Sequence, residues 1–272
     1  MSPCPDETPD PPPADELRQW LPHGKDVYII GLQECLDTHK WGAAVADALG
    51  GAERWHVTER HMGSGATALG YHGFILLLVL VRADWHASGE WSEVRLGRGG
   101  GASVRRGKNL GVKRAENKGA VGAAFRFHAT TLAVAACHLA ADKKGRSGRQ
   151  KRVHDLQSVL RDLELEYDDP YGFDVTFYCH HLLLLGDLNF RVNVSADEAI
   201  EHIGKRDLAH LLASDELGGA MASGEHLNGF TEHPIAFPPT FRRIVGAALA
   251  DDERGSDGAP IDAERLHALY ST

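Results

Sequence analysis

Three polar groups stand directly after apolar, β-rich runs, and each is of a type that can do chemistry. Glu34 follows Val27 to Leu32 and Gln33, His138 follows Val134 to Cys137, and Asp187 with Asn189 follows Leu182 to Leu185. A strand fixes the backbone while the loop beyond it exposes the side chain, so such positions suit reactive groups. Carboxylates placed there are natural ligands for a hard cation such as Mg²⁺, which prefers oxygen and keeps several waters. A histidine nearby can donate to a phosphoryl oxygen, and an aspartate can orient or deprotonate an attacking water. Taken singly, each is commonplace: Glu34 alone reads as a loop residue and His138 alone as a structural histidine.

The elements that must position these groups follow from hydrophobic period and punctuation. Val27 to Leu32 reads as a buried strand ending at Gln33-Glu34. Thr38 is placed to cap a helix bearing Trp41, Val45 and Leu49 on one face, with Gly50-Gly51 to stop it. Phe74 to Val81 is a second buried strand, and residues 87–111, rich in Gly, Ser and basic residues, read as a loop. Ala120 to Phe127 and Thr131 to Cys137 pair across a turn at His128-Ala129-Thr130. Arg149 to Leu163 is helical with Val153, Leu156, Leu160 and Leu163 on its apolar face. His181 to Leu185 is a buried strand running into Gly186-Asp187, and Ser195 to Glu198 has capping-box spacing at the start of another helix. A last helix is expected over Asp262 to Leu269. The class is mixed α/β.

Composition sets outer bounds. A chain of 272 residues with 43% hydrophobic and 25% charged residues has enough core for one α/β domain. The apolar run Phe74 to Val81 is far shorter than the roughly 20 residues a membrane helix needs. No signal peptide is visible, because Met1 opens an acidic, proline-rich segment. That segment, residues 1–16, is expected to be disordered, with order from Leu17. A domain over 17–243 and a divergent tail over 244–272 complete the expected division. Cys4, Cys35, Cys137 and Cys179 are scattered, which speaks against a disulfide framework and for a reducing, intracellular setting. The net charge of −9 weighs against a surface built for nucleic acid. Basic residues nonetheless crowd Arg95 to Lys118 and Lys143 to Arg152, either as solvated loops or as local attraction for a polyanion.

Gly31-Leu-Gln-Glu34 and Gly186-Asp-Leu-Asn189 resemble the metal-binding Glu and catalytic Asp-x-Asn of the endonuclease/exonuclease/phosphatase superfamily. Both its nucleases and its phosphatases carry those motifs. Asn117-Lys-Gly-Ala-Val121, Cys137-His-Leu-Ala-Ala141 and Phe237-Pro-Pro-Thr-Phe-Arg242 narrow the resemblance to the inositol polyphosphate 5-phosphatase catalytic domain. Gly186 to Arg191 is similar to that family's loop throughout, with Phe190 where Tyr is usual, and Phe230-Thr-Glu232 fits the approach to Pro-Pro-Thr.

The resemblance implies a four-layer α/β sandwich of two mixed β-sheets flanked by helices. It implies Mg²⁺-dependent removal of the 5-phosphate from phosphatidylinositol polyphosphates or soluble inositol polyphosphates, without distinguishing the two. Glu34 would ligate Mg²⁺, and His138 would contact the scissile phosphate. Asp187 would activate water, with Asn189 holding the phosphate or that Asp. Asn117, Lys118 and Arg242 would bind substrate, and Arg191 would bind it or brace its loop. Lys and Arg supply the charge-assisted donors that a phosphate-rich substrate requires. A cytoplasmic setting with peripheral membrane contact, and no nucleic-acid partner, go with this reading.

Several family features have no match. No Trp-Asn pair precedes Pro11 to Asp15, and neither an Asp-Arg nor a Ser-Asp-His motif follows Arg243; Leu266-His267-Ala268 is not the latter. Ala136 stands where Asn is usual, and Gly148-Arg-Gln150 where Arg-Arg-Asn is usual. The expectation is therefore a domain incomplete at both ends. A catalytically silent phosphoinositide-binding homologue and, less favoured, a nuclease of the same superfamily are the alternatives.

Overall fold

The apolar run over Gly73–Arg82 (β3) lies at the centre of a three-stranded antiparallel sheet. It pairs on one side with Val27–Cys35 (β1) and on the other with Trp55–Ser64 (β2). Successive side chains of a strand point to opposite faces. In β3 both faces are apolar: Leu76, Leu78 and Leu80 join one core cluster, while Ile75, Leu77, Val79 and Val81 join another. A strand covered on both faces reads as a continuous hydrophobic run, which is why this one was legible. The computed structural model that shows this describes residues 11–64, 73–94, 103–105, 117–142, 147–163, 175–241, 243–244 and 261–270. The chain divides into two compact units, Met1–Asn189 and Phe190–Thr272.

In the first unit the outer face of the β1-β3-β2 sheet is covered by Ala14–Trp20 (α1) and Trp41–Ala48 (α2). Ala83–Ser88 (α3) follows β3. The second sheet runs Trp91–Glu93 (β4), Gly119–Phe127 (β6), Thr130–His138 (β7) and His181–Asp187 (β8), with Ser103–Arg105 (β5) also pairing β6. The β7/β8 pair is parallel and the other pairs antiparallel, so the sheet is mixed. Val121, Ala123, Phe125, Val134 and Ala136 of this sheet pack on the inner face of β3. Arg149–Asp162 (α4) packs against β6 on the far side. Helices, sheet, sheet, helix make the four layers implied by the resemblance.

Several expectations are corrected. Helix α1 takes in Ala14, Asp15 and Glu16, because Leu17 must be anchored in the core and acidic residues in the first turn favour a helix start. Thr38 is buried and Lys40 occupies the α2 cap position. Strand β2 carries no clear apolar alternation, because its buried Thr58 and Met62 stand among polar and charged residues. The stretch 87–111 holds β4 and β5, and the β6/β7 turn is two residues, His128-Ala129, with Thr130 already paired to Phe127. The buried face of α4 is rotated from the apolar stripe and centres on Arg152, Asp155, Leu156, Ser158 and Val159. Strand β8 is a half-exposed edge of its sheet among the described residues.

The second unit holds Ala196–Gly204 (α5), Leu208–Ala213 (α6), Glu216–Ala222 (α7) and Ala263–Leu269 (α8). Ser195 accepts a hydrogen bond from the Glu198 amide at 3.2 Å, so the predicted cap is present. Ile200, Ile203 and Leu211 share a core with Ile261, Leu266, Leu269 and Tyr270. The division therefore falls at Asn189/Phe190, and the described residues beyond 243 belong to this core.

Candidate active site

The parallel register of β7 and β8 sets Ala136 beside Leu185 and His138 beside Asp187. Ala136 and Leu185 pack in the core between the sheets. Two residues further on, by alternation, His138 and Asp187 emerge on that same face at the strand ends. Gly119 of β6 pairs with His138, which brings Lys118 to the same end. Three adjacent strand ends thus deliver a cation, an imidazole and a carboxylate to one place.

Glu34 arrives from the other sheet by a different device. Tyr28, Ile30 and Leu32 of β1 face the helices. Strict alternation would put Glu34 with them. A bulge between Gln33 and Cys35 intervenes: Gln33 opposes Ile75, Cys35 opposes Phe74, and Glu34 is the extra residue, at φ 62°. Cys35 takes the helix-facing place in the core and Glu34 is released. Its Oε1 lies 3.9 Å from His138 Nε2.

His138 is the focus. Its side chain is 3% exposed, and Nε2 lies 3.4 Å from Asp187 Oδ2 and in contact with Lys118 Nζ. That nitrogen either carries a proton aimed at the carboxylates or offers a lone pair to the ammonium, according to the ring's protonation. Asn189, also in the left-handed region at φ 58°, donates its backbone N–H to Asp187 Oδ1 at 2.9 Å. Its side-chain amide donates to Asp187 Oδ2 at 3.1 Å and to Leu139 O at 3.0 Å. Burial acts to raise the Asp187 pKa, but the hydrogen bond and charge of His138, the Asn189 amide and the Lys118 charge outweigh it. The carboxyl is held below its ordinary value.

Two glycines permit the close approach. A Cβ on Gly31 would lie 2.7 Å from Leu185 Cδ1, so a side chain there would force Leu185 to shift. Gly186, at φ 114°, has no room either, since a Cβ would meet Cys137 O at 2.2 Å. Gln33 was not singled out from the sequence. Its amide nitrogen is buried with no hydrogen-bond partner among the described residues and faces Gly186.

The other candidates are differently placed. Asn117 is half-buried immediately before Lys118. Arg191 lies in the second unit with its guanidinium 5.0 Å over the Phe241 ring. The Pro-Pro-Thr segment is tied there by a 2.7 Å hydrogen bond from Tyr270 Oη to Pro239 O. Arg242 lies outside the described residues, as do the basic residues 95–100, 106–114 and 143–146. Of the second basic cluster, Arg152 is not available to a polyanion: it is fully buried, with Nη1 2.5 Å from Asp142 Oδ1. Lys151 pairs with Asp155 at 2.8 Å.

Carboxylates from facing sheets, 72% exposed at Glu34 and 48% at Asp187, suit a hard cation that keeps much of its water. Lysine, imidazole and amide donors beside them suit an oxyanion such as phosphate. That combination lies at the open end of two face-packed sheets and has the donors and carboxylates that phosphate-ester hydrolysis uses. The chain belongs to the endonuclease/exonuclease/phosphatase family 2, whose family model matches residues 73–254. Its curated relatives include phosphoinositide 5-phosphatases. The phosphatidylinositol 3,4,5-trisphosphate 5-phosphatase 2B of Danio rerio is 29% identical over 236 residues, 86% of this chain and 17% of that protein. A phosphatidylinositol 4,5-bisphosphate 5-phosphatase of Saccharomyces cerevisiae is 25% identical over 265 residues, 88% of this chain and 25% of that protein. The fold is that of the inositol polyphosphate 5-phosphatase domain of SPsynaptojanin, solved with inositol (1,4)-bisphosphate and calcium ion. The TM-score is 0.60 at 24% identity, over 85% of this chain and 64% of that one.

Proposed function

We propose that the chain is a metal-dependent phosphomonoesterase that removes the 5-phosphate of phosphatidylinositol polyphosphates or soluble inositol polyphosphates. The observation that carries this reading is the convergence of Lys118, Asp187 and Glu34 on His138 Nε2. The names and activities of the relatives support the substrate class.

Glu34, with Asp187 beside it, would hold the ion, and bound Mg²⁺ supplies charge that offsets the phosphoryl oxygens. Asp187 is held ionised by its neighbours and accepts a proton from the attacking water, whose oxygen bonds to phosphorus. The bond from phosphorus to the inositol oxygen breaks, and that oxygen leaves as an alcohol after taking a proton from solvent. Lys118 and His138 donate to the phosphoryl oxygens, where charge builds up in the transition state. Asn189 keeps Asp187 in one orientation, and the unsatisfied amide of Gln33 offers a further donor. Arg242 and Asn117 are assigned to the phosphates that are not cleaved. A cytoplasmic setting with peripheral contact to phosphoinositide-bearing membranes belongs to the same proposal. No helix among the described residues is long and apolar enough to cross a membrane.

The test is phosphate release from phosphatidylinositol 4,5-bisphosphate and from a soluble inositol trisphosphate, with and without Mg²⁺, beside the Asp187→Ala variant. Metal-dependent release lost in the variant is the expected result. Headgroup binding without release would mean a silent binding homologue, and nicking of plasmid DNA would mean a nuclease.

A further inference from the structure

The second unit carries a cluster of metal-binding side chains that belongs to none of the chemistry above. Glu198 and His202 stand one helical turn apart on α5 and so share a face. The chain then turns through Arg206, at φ 56°, into Asp207, which caps α6 by accepting from the His210 amide at 3.1 Å. This tight reversal folds His210 back onto α5. The His202 and His210 rings stack at 3.6 Å between centroids and 4° between planes. One atom each of Glu198, His202 and His210 lies within 4.8 Å of the others.

We infer that Glu198, His202 and His210 bind one Zn²⁺ ion, with Asp207 positioning His202. Two imidazoles and one carboxylate select a borderline transition ion over Mg²⁺ or Ca²⁺, which prefer all-oxygen sites. Asp207 Oδ2 lies 3.0 Å from His202 Nδ1. A proton held on Nδ1 by this carboxylate leaves the Nε2 lone pair for a metal, the arrangement that orients many ligating histidines. His210 Nε2 lies 2.9 Å from Glu198 Oε1, so both carboxylates already engage the imidazoles. Tetrahedral zinc ligands lie about 3.3 Å apart, given bonds of about 2.0–2.2 Å. Side-chain torsions can bring the three atoms from within 4.8 Å to that spacing, because His210 and Glu198 are 39% and 42% exposed. The two rings must tilt out of parallel as they do so. Water completes the coordination. An ion here joins α5 to α6 and so stabilises the second unit.

The probe is Zn²⁺ alone, titrated calorimetrically into the chelator-treated full chain, the His202→Ala/His210→Ala double variant, and Glu34→Ala. Glu34→Ala controls for zinc taken up by the first unit. One equivalent of Zn²⁺ is expected to disappear in the double variant and to remain in Glu34→Ala. Asp207→Asn should bind that equivalent about 10–100-fold more weakly. Zn²⁺ should raise the thermal midpoint of the wild-type chain and lose that part of the effect in the double variant, whose fold is checked by circular dichroism. Unchanged stoichiometry and affinity in the folded double variant, or no zinc uptake by the wild type, would overturn the inference. None of these readouts depends on phosphate release.

Discussion

Asp187 shows how one side chain is tuned by its neighbours. Partial burial alone would favour the neutral acid, and His138, Asn189 and Lys118 reverse that preference. Because the folded pKa is depressed, the ionised form contributes stability in full above the unfolded value. That contribution is lost as pH falls through the folded one. A carboxyl-carbon NMR titration should therefore place the Asp187 midpoint below 3.8, and replacing Lys118 with Met should move it upward. A midpoint at or above 3.8 in the wild type would contradict the assignment of His138 and Lys118 as its electrostatic partners. In catalysis, Asp187→Ala should lower kcat by about 10²–10⁴-fold, the range for loss of a positioned general base. A smaller loss would mean that water is activated elsewhere.

At the scale of the element, the end of β8 runs close against the β7 backbone at Gly186. Gly186 takes a left-handed φ against Cys137 O, so Gly186→Ala should cost at least about 2 kcal/mol in denaturant unfolding. It should also impair catalysis by shifting Asp187, which is the next residue. Wild-type stability in this variant would mean the strand end can relax. Cys137, fully buried beside it in β7, has its thiol pKa pushed up to about 12 by desolvation. Alkylation by iodoacetamide at neutral pH should spare Cys137 until the chain is unfolded. Helix α4 illustrates the opposite lesson about charge. Arg152 reads in the sequence as part of a basic patch, yet it is spent inside the fold on Asp142.

Across the whole molecule, a net charge of −9 opposes the approach of a polyanion, so attraction must be local. Among the described residues, Lys118 is a cation at the strand ends that a phosphate would meet. Raising salt from about 0.05 to 0.5 M shortens the reach of such a charge severalfold. The KM for an inositol polyphosphate should rise over that range with kcat little changed. Insensitivity of KM to salt would mean that the charged segments do not steer substrate. Glu34, Lys118, His138 and Asp187 all lie in Met1–Asn189, whereas the proposed zinc ligands lie wholly in Phe190–Thr272.

Strands β3, β6 and β7 were legible in the sequence, because strands with apolar residues on both faces announce themselves as apolar runs, and the candidate site residues were sought after the ends of such runs. The cap at Ser195 was legible for a similar reason: it depends on residues only three apart. What alternation alone could not reveal was decided by pairing between distant strands. The bulge that turns Glu34 toward His138 exists only because Cys35, and not Glu34, is apolar enough for the helix-facing core. The burial of Arg152 and the exposure of β8 were not legible, because the first depends on its tertiary partner Asp142 and the second on an edge position among the described residues. Local pattern determined which groups were available; non-local packing decided which of them meet.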